Sequence, residues 1–328
     1  MAQFPVLFIT LIFLGSLSLG VLYKILWKNF DPNNVPTGFG VFISLGLLIG
    51  CFFANSPFPI TASLILILGF SLAYWLDDVI TLKPAYRIAL MVSCGSALAM
   101  IAFFSSTKTL LSPSIIFLLV LTAIVLEVLL VNVTNFYDGA DLNLATLIGL
   151  ETVFLAVYLV KDDWAILLNI TVLTFVLAFS LFNKNKNCLY LGDSGSFVFS
   201  SYILLMGLHY WLLPVPLSVE FLIPLALPCL DVFYVIVKRL HLRENLLTRN
   251  YMHLYQRLQI KFSGLWYLLP QLINALLCIT VLYVNRLSFI ESPALSLVIV
   301  LVVTSLVYST FLLILRYQPT SLPRLGDN

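Results

Sequence analysis

Long apolar segments recur from one end of this sequence to the other, and they constrain the fold more than any other feature. Each is about 17–25 residues long, which as a helix is enough to cross ~30 Å of hydrocarbon. Charged residues make up 10% of the 328 residues, whereas a soluble domain carries about 25%. We therefore expect an all-α integral membrane protein.

Polar breaks divide the apolar segments into about eleven spans, so we expect 10–11 transmembrane helices in one polytopic domain over residues 1–328. The tightest break is Asn55-Ser56-Pro57. The expected spans are residues 4–26, 39–55, 58–76, 86–104, 114–133, 143–160, 164–182, 195–213, 219–238, 263–284 and 293–315.

Lysine and arginine are divided unequally between the two sides that these spans define. Three of the seventeen fall on one side, at Lys108, Lys161 and Arg286. The other fourteen are Lys24, Lys28, Lys83, Arg87, Lys184, Lys186, Lys238, Arg239, Arg243, Arg249, Arg257, Lys261, Arg316 and Arg324. Because cytoplasmic loops carry the excess of basic residues, we expect the N-terminus outside. The net charge of +2 is too small to indicate a nucleic-acid partner.

Carboxylates gather at span ends on the cytoplasmic side. They are Asp77, Asp78, Asp138, Asp141, Asp193 and Asp231. Like charges beside a membrane core repel one another unless cations neutralise them, and Mg²⁺ prefers such oxygen ligands. Acids and basic side chains around a nucleotide diphosphate would form a phosphoryl-transfer site.

Five ordered motifs lie on this same side. They are Asp77-Asp78-Val79 with Leu82, Pro84 and Arg87; Asn132 to Asp141 (NVTNFYDGAD); Tyr190 to Ser196 (YLGDSGS); Pro228 to Arg239, including Asp231; and His253 to Leu258 (HLYQRL). Through them the chain resembles the polyprenyl-phosphate N-acetylhexosamine-1-phosphate transferases, glycosyltransferase family 4. The HLYQRL loop is similar to that of the bacterial O-antigen-initiating branch.

The resemblance implies transfer of a sugar-1-phosphate from a UDP-sugar to undecaprenyl or another polyprenyl phosphate at the bacterial inner membrane. Mg²⁺, or Mn²⁺, would be held by Asp193, with Asn135 as a second oxygen donor. Asp77 and Asp78 would be catalytic: one would deprotonate or orient the lipid phosphate, and the other would support the metal. Direct attack by the lipid phosphate and a covalent aspartyl intermediate both stay open, and the first is favoured because a phosphate dianion is a competent nucleophile.

The same resemblance assigns residues to the nucleotide. Asp138 and Asp141 would serve nucleotide binding, with Asp141 near the base and Asp138 near the metal. Asn183 would hold uracil by hydrogen bonding and Tyr190 by stacking. An alternative for Tyr190 is an aromatic anchor at the membrane interface.

The remaining assigned residues would hold the phosphates and the sugar. They are Arg87, His253, Gln256 and Arg257, of which the arginines offer bidentate pairing to phosphate. Asp231 would orient the arginine eight residues further along its own helix, or contact the sugar.

Two segments depart from the family pattern. Leu142-Asn143 replaces the usual Gly-Leu after Asp141, so we expect a different turn there. The first loop, Asp31 to Gly40, keeps a Pro-Thr-Gly turn but lacks the usual basic and histidine residues. The phosphate contact expected of that loop is therefore in question.

Two other classes of membrane protein remain as alternatives. A secondary transporter would place ionisable residues near the membrane midplane, where this chain offers Glu127 and Glu151. A CDP-alcohol phosphotransferase would need an arginine after Asp138-Gly139, which the sequence lacks. The Gly46-to-Gly50 spacing in the second span is also typical of helix packing, and suggests a possible homodimer.

Overall fold

A computed structural model describes residues 3–31, 34–105, 112–156, 162–184, 189–212, 223–245, 252–262, 264–284 and 293–316. Regular structure within these ranges is entirely helical, which confirms the all-α prediction. The chain forms two compact units, Met1–Pro224 and Leu225–Asn328, and each is described by itself. Basic residues of the charge count that lie outside the described ranges are Lys108, Lys161, Lys186, Arg249, Arg286 and Arg324.

The first unit contains eight helices in its described part, matching the first eight expected spans in order. They are α1 (Gln3–Phe30), α2 (Val41–Ala54), α3 (Phe58–Ile80), α4 (Pro84–Ser105), α5 (Pro113–Tyr137), α6 (Asn143–Phe154), α7 (Asp163–Asn183) and α8 (Gly192–Leu212).

The second unit contains three further helices that correspond to expected spans, and one that does not. They are α9 (Ala226–His241), α10 (Leu254–Lys261), α11 (Leu269–Val284) and α12 (Pro293–Arg316), with a 3-10 turn at Trp266–Leu268 before α11. Helix α10 is eight residues long and polar, LYQRLQIK, which is too short to cross a membrane.

Six helices among the described residues are long and apolar enough to span a bilayer. They are Leu7–Asn29, Phe58–Ile80, Pro84–Ser105, Pro113–Tyr137, Asp163–Asn183 and Leu297–Arg316. Many large apolar side chains on them point outward, such as Phe117, which is 70% exposed. Apolar surface of this kind is stable in hydrocarbon, and the chain is therefore a multi-pass membrane protein.

The expected break between the second and third spans is present. Helix α2 ends where Asn55 adopts a left-handed conformation, φ 49°, and its N–H bonds to the Cys51 carbonyl. Pro57 then precedes α3, and a further proline lies in the first turn of that helix. N–H groups of the first turn make no hydrogen bond within the helix, so a proline there removes none.

Helix α8 lies at the centre of the first unit. Its middle, including Phe197, Val198 and Ile203, is fully buried. Its polar face meets α5, where the Thr134 hydroxyl bonds to the Ser200 hydroxyl at 2.8 Å and donates to the Ser196 carbonyl at 3.2 Å. A buried hydroxyl without a hydrogen-bond partner is costly. These hydrogen bonds therefore fix α8 against α5 and thereby position the N-terminal end of α8.

The glycine spacing of α2 is used within the chain. A Cβ on Gly50 would lie 3.1 Å from the Thr171 hydroxyl and 3.2 Å from Leu168, both on α7, and one on Gly46 would also meet Thr171. These glycines let α2 approach α7 closely. The spacing therefore gives no support to the expected homodimer.

Candidate active site

Helix α3 ends with two adjacent aspartates, Asp77 and Asp78. A carboxylate near a helix C-terminus is disfavoured by the helix dipole, by about 0.3–1 kcal/mol when exposed. Each of the two has compensating donors from another part of the chain. The two side chains make separate sets of contacts, so the pair does not act as one unit.

The Asp77 carboxylate is buried and paired with Arg87 of α4. The Arg87 Nε lies 2.6 Å from one Asp77 oxygen, and its second terminal nitrogen donates to the other at 3.0 Å. The N–H of Leu82 donates to the same carboxylate. Tyr74, one turn earlier on α3, donates to the Arg87 carbonyl at 3.0 Å. Asp77 thus holds the loop that turns from α3 into α4.

The Asp78 carboxylate caps the N-terminus of α8. One oxygen accepts the Asp193 N–H at 2.8 Å and the other accepts the Ser194 N–H at 3.2 Å. The first N–H groups of a helix lack helical partners, and a carboxylate there is stabilised by the dipole. Gly192, φ +75°, makes this approach possible, because a Cβ would lie 2.6 Å from both Asp78 oxygens.

Asp193 is the more accessible carboxylate of this group. Its side chain is 27% exposed, against 0% for Asp77. One oxygen accepts a 2.5 Å hydrogen bond from the Asn135 amide at the end of α5, and the other lies 3.2 Å from the Arg87 guanidinium. Arg87 therefore bridges Asp77 and Asp193. Burial raises the pKa of Asp193, and the Arg87 charge and the Asn135 amide oppose that rise.

Asp138 joins the group from the turn after α5. Its carboxyl accepts a hydrogen bond from the Gly192 N–H. Burial raises the pKa of Asp138 well above its usual value, and the charges of Asp193 and Asp78 raise it further. The structure therefore brings together six of the predicted residues, in what we call the aspartate cluster: Asp77, Asp78, Arg87, Asn135, Asp138 and Asp193.

The donors of the aspartate cluster fit a hard divalent ion. They are carboxylate and amide oxygens, and a hydrogen bond from the Asn135 amide nitrogen to Asp193 holds these two side chains side by side. No group of three His, Cys, Asp or Glu side chains in the described ranges is arranged as a complete metal cage. Mg²⁺ does not need one, because it keeps several waters and binds one or two carboxylates together with substrate phosphates.

The residues assigned to uracil are placed beside the aspartate cluster through backbone contacts. The Asn183 amide accepts from the Leu142 N–H at 2.5 Å and donates to the Leu189 carbonyl at 3.1 Å. It therefore ties the turn before α6, which contains the half-buried Asp141, to the segment that carries Tyr190. This positional use was not expected from the sequence.

Leu142 occupies the position where the family pattern has a glycine. It adopts φ +60°, the left-handed conformation that glycine favours. A glycine at this position could adopt the same conformation, and the expectation that the turn differs from that of the family stays a prediction.

In the second unit, three of the predicted residues meet at the start of α10. The buried Asp231 accepts from the Leu254 N–H at 3.0 Å and lies 3.1 Å from His253 Nδ1. Gln256 reaches back to accept the His253 N–H at 3.2 Å. A carboxylate on Nδ1 fixes the orientation of an imidazole ring, so Asp231 orients His253. Arg257 follows within the same helix.

Asp231 was also predicted to orient Arg239, and these contacts give that no support. Arg239 pairs with Glu244 at 3.3 Å and donates to the Asn245 carbonyl. The two residues are eight positions apart on α9, which is about 12 Å along a helix axis. The carboxylate of Asp231 is instead directed to α10.

Some residues of these sites carried no sequence signal. Tyr308 on α12 donates to Asp231 at 2.9 Å, but it lies inside an apolar span. Tyr74 is similar, since its ring stacks on Phe197 at 4.5 Å while its hydroxyl holds Arg87. From the sequence alone, a tyrosine in a hydrophobic helix is interpreted as a packing residue, because the sequence does not show the partner of its hydroxyl.

Fold and site together define a polytopic helical membrane protein with an arginine-bridged aspartate cluster at the ends of α3, α5 and α8. Comparison with protein families gives a match to glycosyl transferase family 4 over residues 59–210, which includes this whole cluster. No curated protein matches the chain. The family match supports placement in the glycosyltransferase family 4 superfamily and indicates a phospho-sugar transferase.

Proposed function

We propose that this protein transfers a sugar-1-phosphate from a UDP-sugar to undecaprenyl phosphate, giving the polyprenyl-diphospho-sugar and UMP. The sugar would be an N-acetylhexosamine or its 6-deoxy form, and the product would initiate O-antigen or a related envelope glycan. The observation that carries the proposal is the aspartate cluster, with Arg87 between Asp77 and Asp193, inside the region that matches the family.

Transfer would proceed by direct attack. An oxygen of the lipid phosphate forms a bond to the β-phosphorus, which carries the sugar, and the bond from that phosphorus to the bridging oxygen breaks. UMP leaves with the bridging oxygen. A lipid phosphate dianion brings its own negative charge to this step, so no proton has to be removed from it.

The contacts of the paired aspartates favour direct attack over a covalent aspartyl intermediate. The Asp77 carboxylate is buried in its ion pair with Arg87, and both Asp78 oxygens accept backbone N–H groups. A nucleophile must present an oxygen within about 3–3.5 Å of the phosphorus with its orbitals aligned. The ion pair and the hydrogen bonds stabilise the negative charge of each carboxylate, which makes either one a weaker nucleophile.

Arg87 and Asp193 would hold the reacting groups. The guanidinium offers bidentate hydrogen bonds to a phosphate, and its 34% exposed side chain is accessible to one. Asp193 and Asn135 would hold Mg²⁺, which would polarise the phosphoryl oxygens and neutralise the charge that develops on them. In such reactions positioning and charge neutralisation provide most of the catalysis.

The test uses membranes containing the protein, polyprenyl phosphate, Mg²⁺ and a panel of UDP-sugars, with UMP as the measured product. We expect UMP release that needs both the lipid and Mg²⁺, and that stops when a chelator is added. A parallel membrane preparation containing the Asp193→Asn variant controls for other enzymes. Lipid-independent release, or full turnover in excess chelator, would contradict the proposal.

A further inference from the structure

The last part of the first loop, Val35 to Gly40, packs against the start of α8. The Tyr190 N–H donates to the Pro36 carbonyl at 2.8 Å, and the Phe39 and Gly40 N–H groups donate to the Tyr190 and Leu191 carbonyls at 3.2 and 2.9 Å. Three backbone bonds therefore join this loop to the segment that leads into Gly192 and Asp193. The loop lies outside residues 59–210, the range of the family match.

Glycines make this contact possible. A Cβ on Gly40 would lie 2.0 Å from the Gly195 Cα, and one on Gly192 would lie 2.5 Å from the Gly38 nitrogen. Gly38 has φ +82°, and a Cβ there would lie 2.7 Å from the Trp75 ring. Real Cβ atoms do not approach so closely, so the loop and the start of α8 fit together only as glycine backbone.

The loop is fixed in turn by a two-bond relay from α3. Trp75 Nε1 donates to the Tyr23 hydroxyl at 3.0 Å, and that hydroxyl donates to the Thr37 carbonyl at 2.5 Å. Trp75 is one turn before Asp78, the residue that caps α8. The relay therefore connects α1, the first loop and the catalytic end of α3 through a single hydroxyl.

We propose that Tyr23 is a positioning residue for nucleotide binding: its hydroxyl holds the first loop, and the loop holds Tyr190 where uracil would stack. This inference rests on the proposed function, because it takes the nucleotide to bind beside Tyr190. It also gives the first loop a role that needs no basic or histidine side chain. The loop acts through its backbone, which is consistent with the charges it lacks.

The test compares Tyr23→Phe with a matched control, Tyr202→Phe. Both changes remove one hydroxyl and leave the ring. The Tyr23 ring keeps its contacts with Trp27, Phe39 and Phe42, at 5.5–5.7 Å between centroids. Tyr202 is buried on α8 and donates to Asn169 at 3.1 Å, away from the first loop. The control therefore loses a buried hydrogen bond without touching the relay.

Two measurements are made on the purified full-length protein. Amide hydrogen exchange should become faster in Tyr23→Phe at Phe39, Gly40 and Tyr190, and remain unchanged there in Tyr202→Phe. The Kd of UMP, measured with Mg²⁺ present, should rise about three- to tenfold in Tyr23→Phe, the change expected when one hydrogen bond of a positioning network is lost. It should stay within twofold in the control.

A double-variant cycle tests the relay itself. Trp75→Phe alone should raise the Kd of UMP. Adding it to Tyr23→Phe should cause little further change, because both variants break the same chain of hydrogen bonds from Trp75 through Tyr23 to Thr37. Unchanged exchange in Tyr23→Phe would overturn the inference, as would faster exchange with an unchanged Kd. If the unaltered protein binds neither UMP nor any UDP-sugar, the proposed function fails first, and the positioning role in nucleotide binding fails with it.

Discussion

Among single residues, Asp193 is the one on which the proposed chemistry depends most. It combines partial exposure, the contact with Asn135 and the contact with Arg87. Asp77, in contrast, is fully buried in its ion pair with Arg87, and Asp78 accepts two backbone N–H groups at the start of α8. The adjacent aspartates Asp77 and Asp78 thus have different partners and different structural roles.

Asp193→Asn should lower turnover by at least about a hundredfold. It keeps the shape of the side chain but removes the charge that would hold Mg²⁺, and metal stabilisation of transferring phosphates contributes several kcal/mol. Turnover is measured as UMP release at saturating substrates. Asp163→Asn makes the same chemical change at the first residue of α7, outside the aspartate cluster, and should leave turnover unchanged. Near-normal turnover in Asp193→Asn would refute the metal assignment.

Tyr190→Ala should weaken binding more than turnover. Stacking a base on an aromatic ring contributes roughly 1–3 kcal/mol, and that contact is largely kept between the bound substrate and the transition state. We expect a higher Kd for UMP and a smaller loss of kcat. An unchanged affinity for UMP would show that Tyr190 is the interfacial anchor instead.

Leu142→Gly should be tolerated, although it deletes a large side chain. Leucine in a left-handed conformation costs about 1–2 kcal/mol, and glycine relieves that strain while losing the contacts of a half-buried side chain. The measurement is the thermal midpoint of the protein in detergent. Leu147→Gly is the matched control, because Leu147 is 1% exposed within α6. A comparable drop in both variants would contradict the strain argument.

At the scale of elements, the contact between the first loop and α8 leaves no room for a Cβ at Gly40. A helix N-terminus with a carboxylate cap and a close backbone neighbour has little room for a side chain. Elsewhere the same residue type is unconstrained: a Cβ on Gly69, within α3, would meet nothing within 4 Å. Replacing glycine by alanine should therefore destabilise the protein at Gly40 but not at Gly69.

Gly40→Ala should disrupt the loop contact, while Gly69→Ala should be neutral or stabilising. The first places a Cβ 2.0 Å from the Gly195 Cα, so the loop must move away from α8. The second gains helix propensity of about 1 kcal/mol. We expect loss of UMP binding and a lower thermal midpoint in Gly40→Ala alone. Equal behaviour of the two variants would show that the loop is not closely packed.

At the scale of the whole molecule, the distribution of charge predicts which ends of the helices face the cytoplasm. The aspartate cluster and the His253 group lie in separate compact units, so their presence on one side of the membrane is a prediction of the charge count. It is also a requirement of the proposed function, in which both groups would hold the same UDP-sugar.

Cysteine labelling tests this topology. In a background without the five native cysteines, Lys83→Cys and Glu244→Cys should react with an impermeant reagent only from the cytoplasmic side. Ser112→Cys is the control and should react only from outside. All three positions are exposed. Reaction of Lys83→Cys and Glu244→Cys from opposite sides would separate the two groups and refute a shared site.

The sequence by itself determined the positions of the apolar helices and predicted which side chains gather in the aspartate cluster. Apolar length is a local property, so the ends of α3, α4 and α7 lie within a few residues of their expected positions. The motifs likewise predicted that Asp77, Asp78, Arg87, Asn135, Asp138 and Asp193 belong together, and in the structure they lie together.

Only the tertiary structure decided what each of these residues contacts. Asp78 caps α8, and Tyr23 connects Trp75 to Thr37. Both facts depend on residues 115 and 52 positions apart in the chain meeting in space. Helix period and composition report on neighbours within about four residues. Hydrogen bonds between helices follow instead from the packing of the whole unit, and no local pattern contains that information.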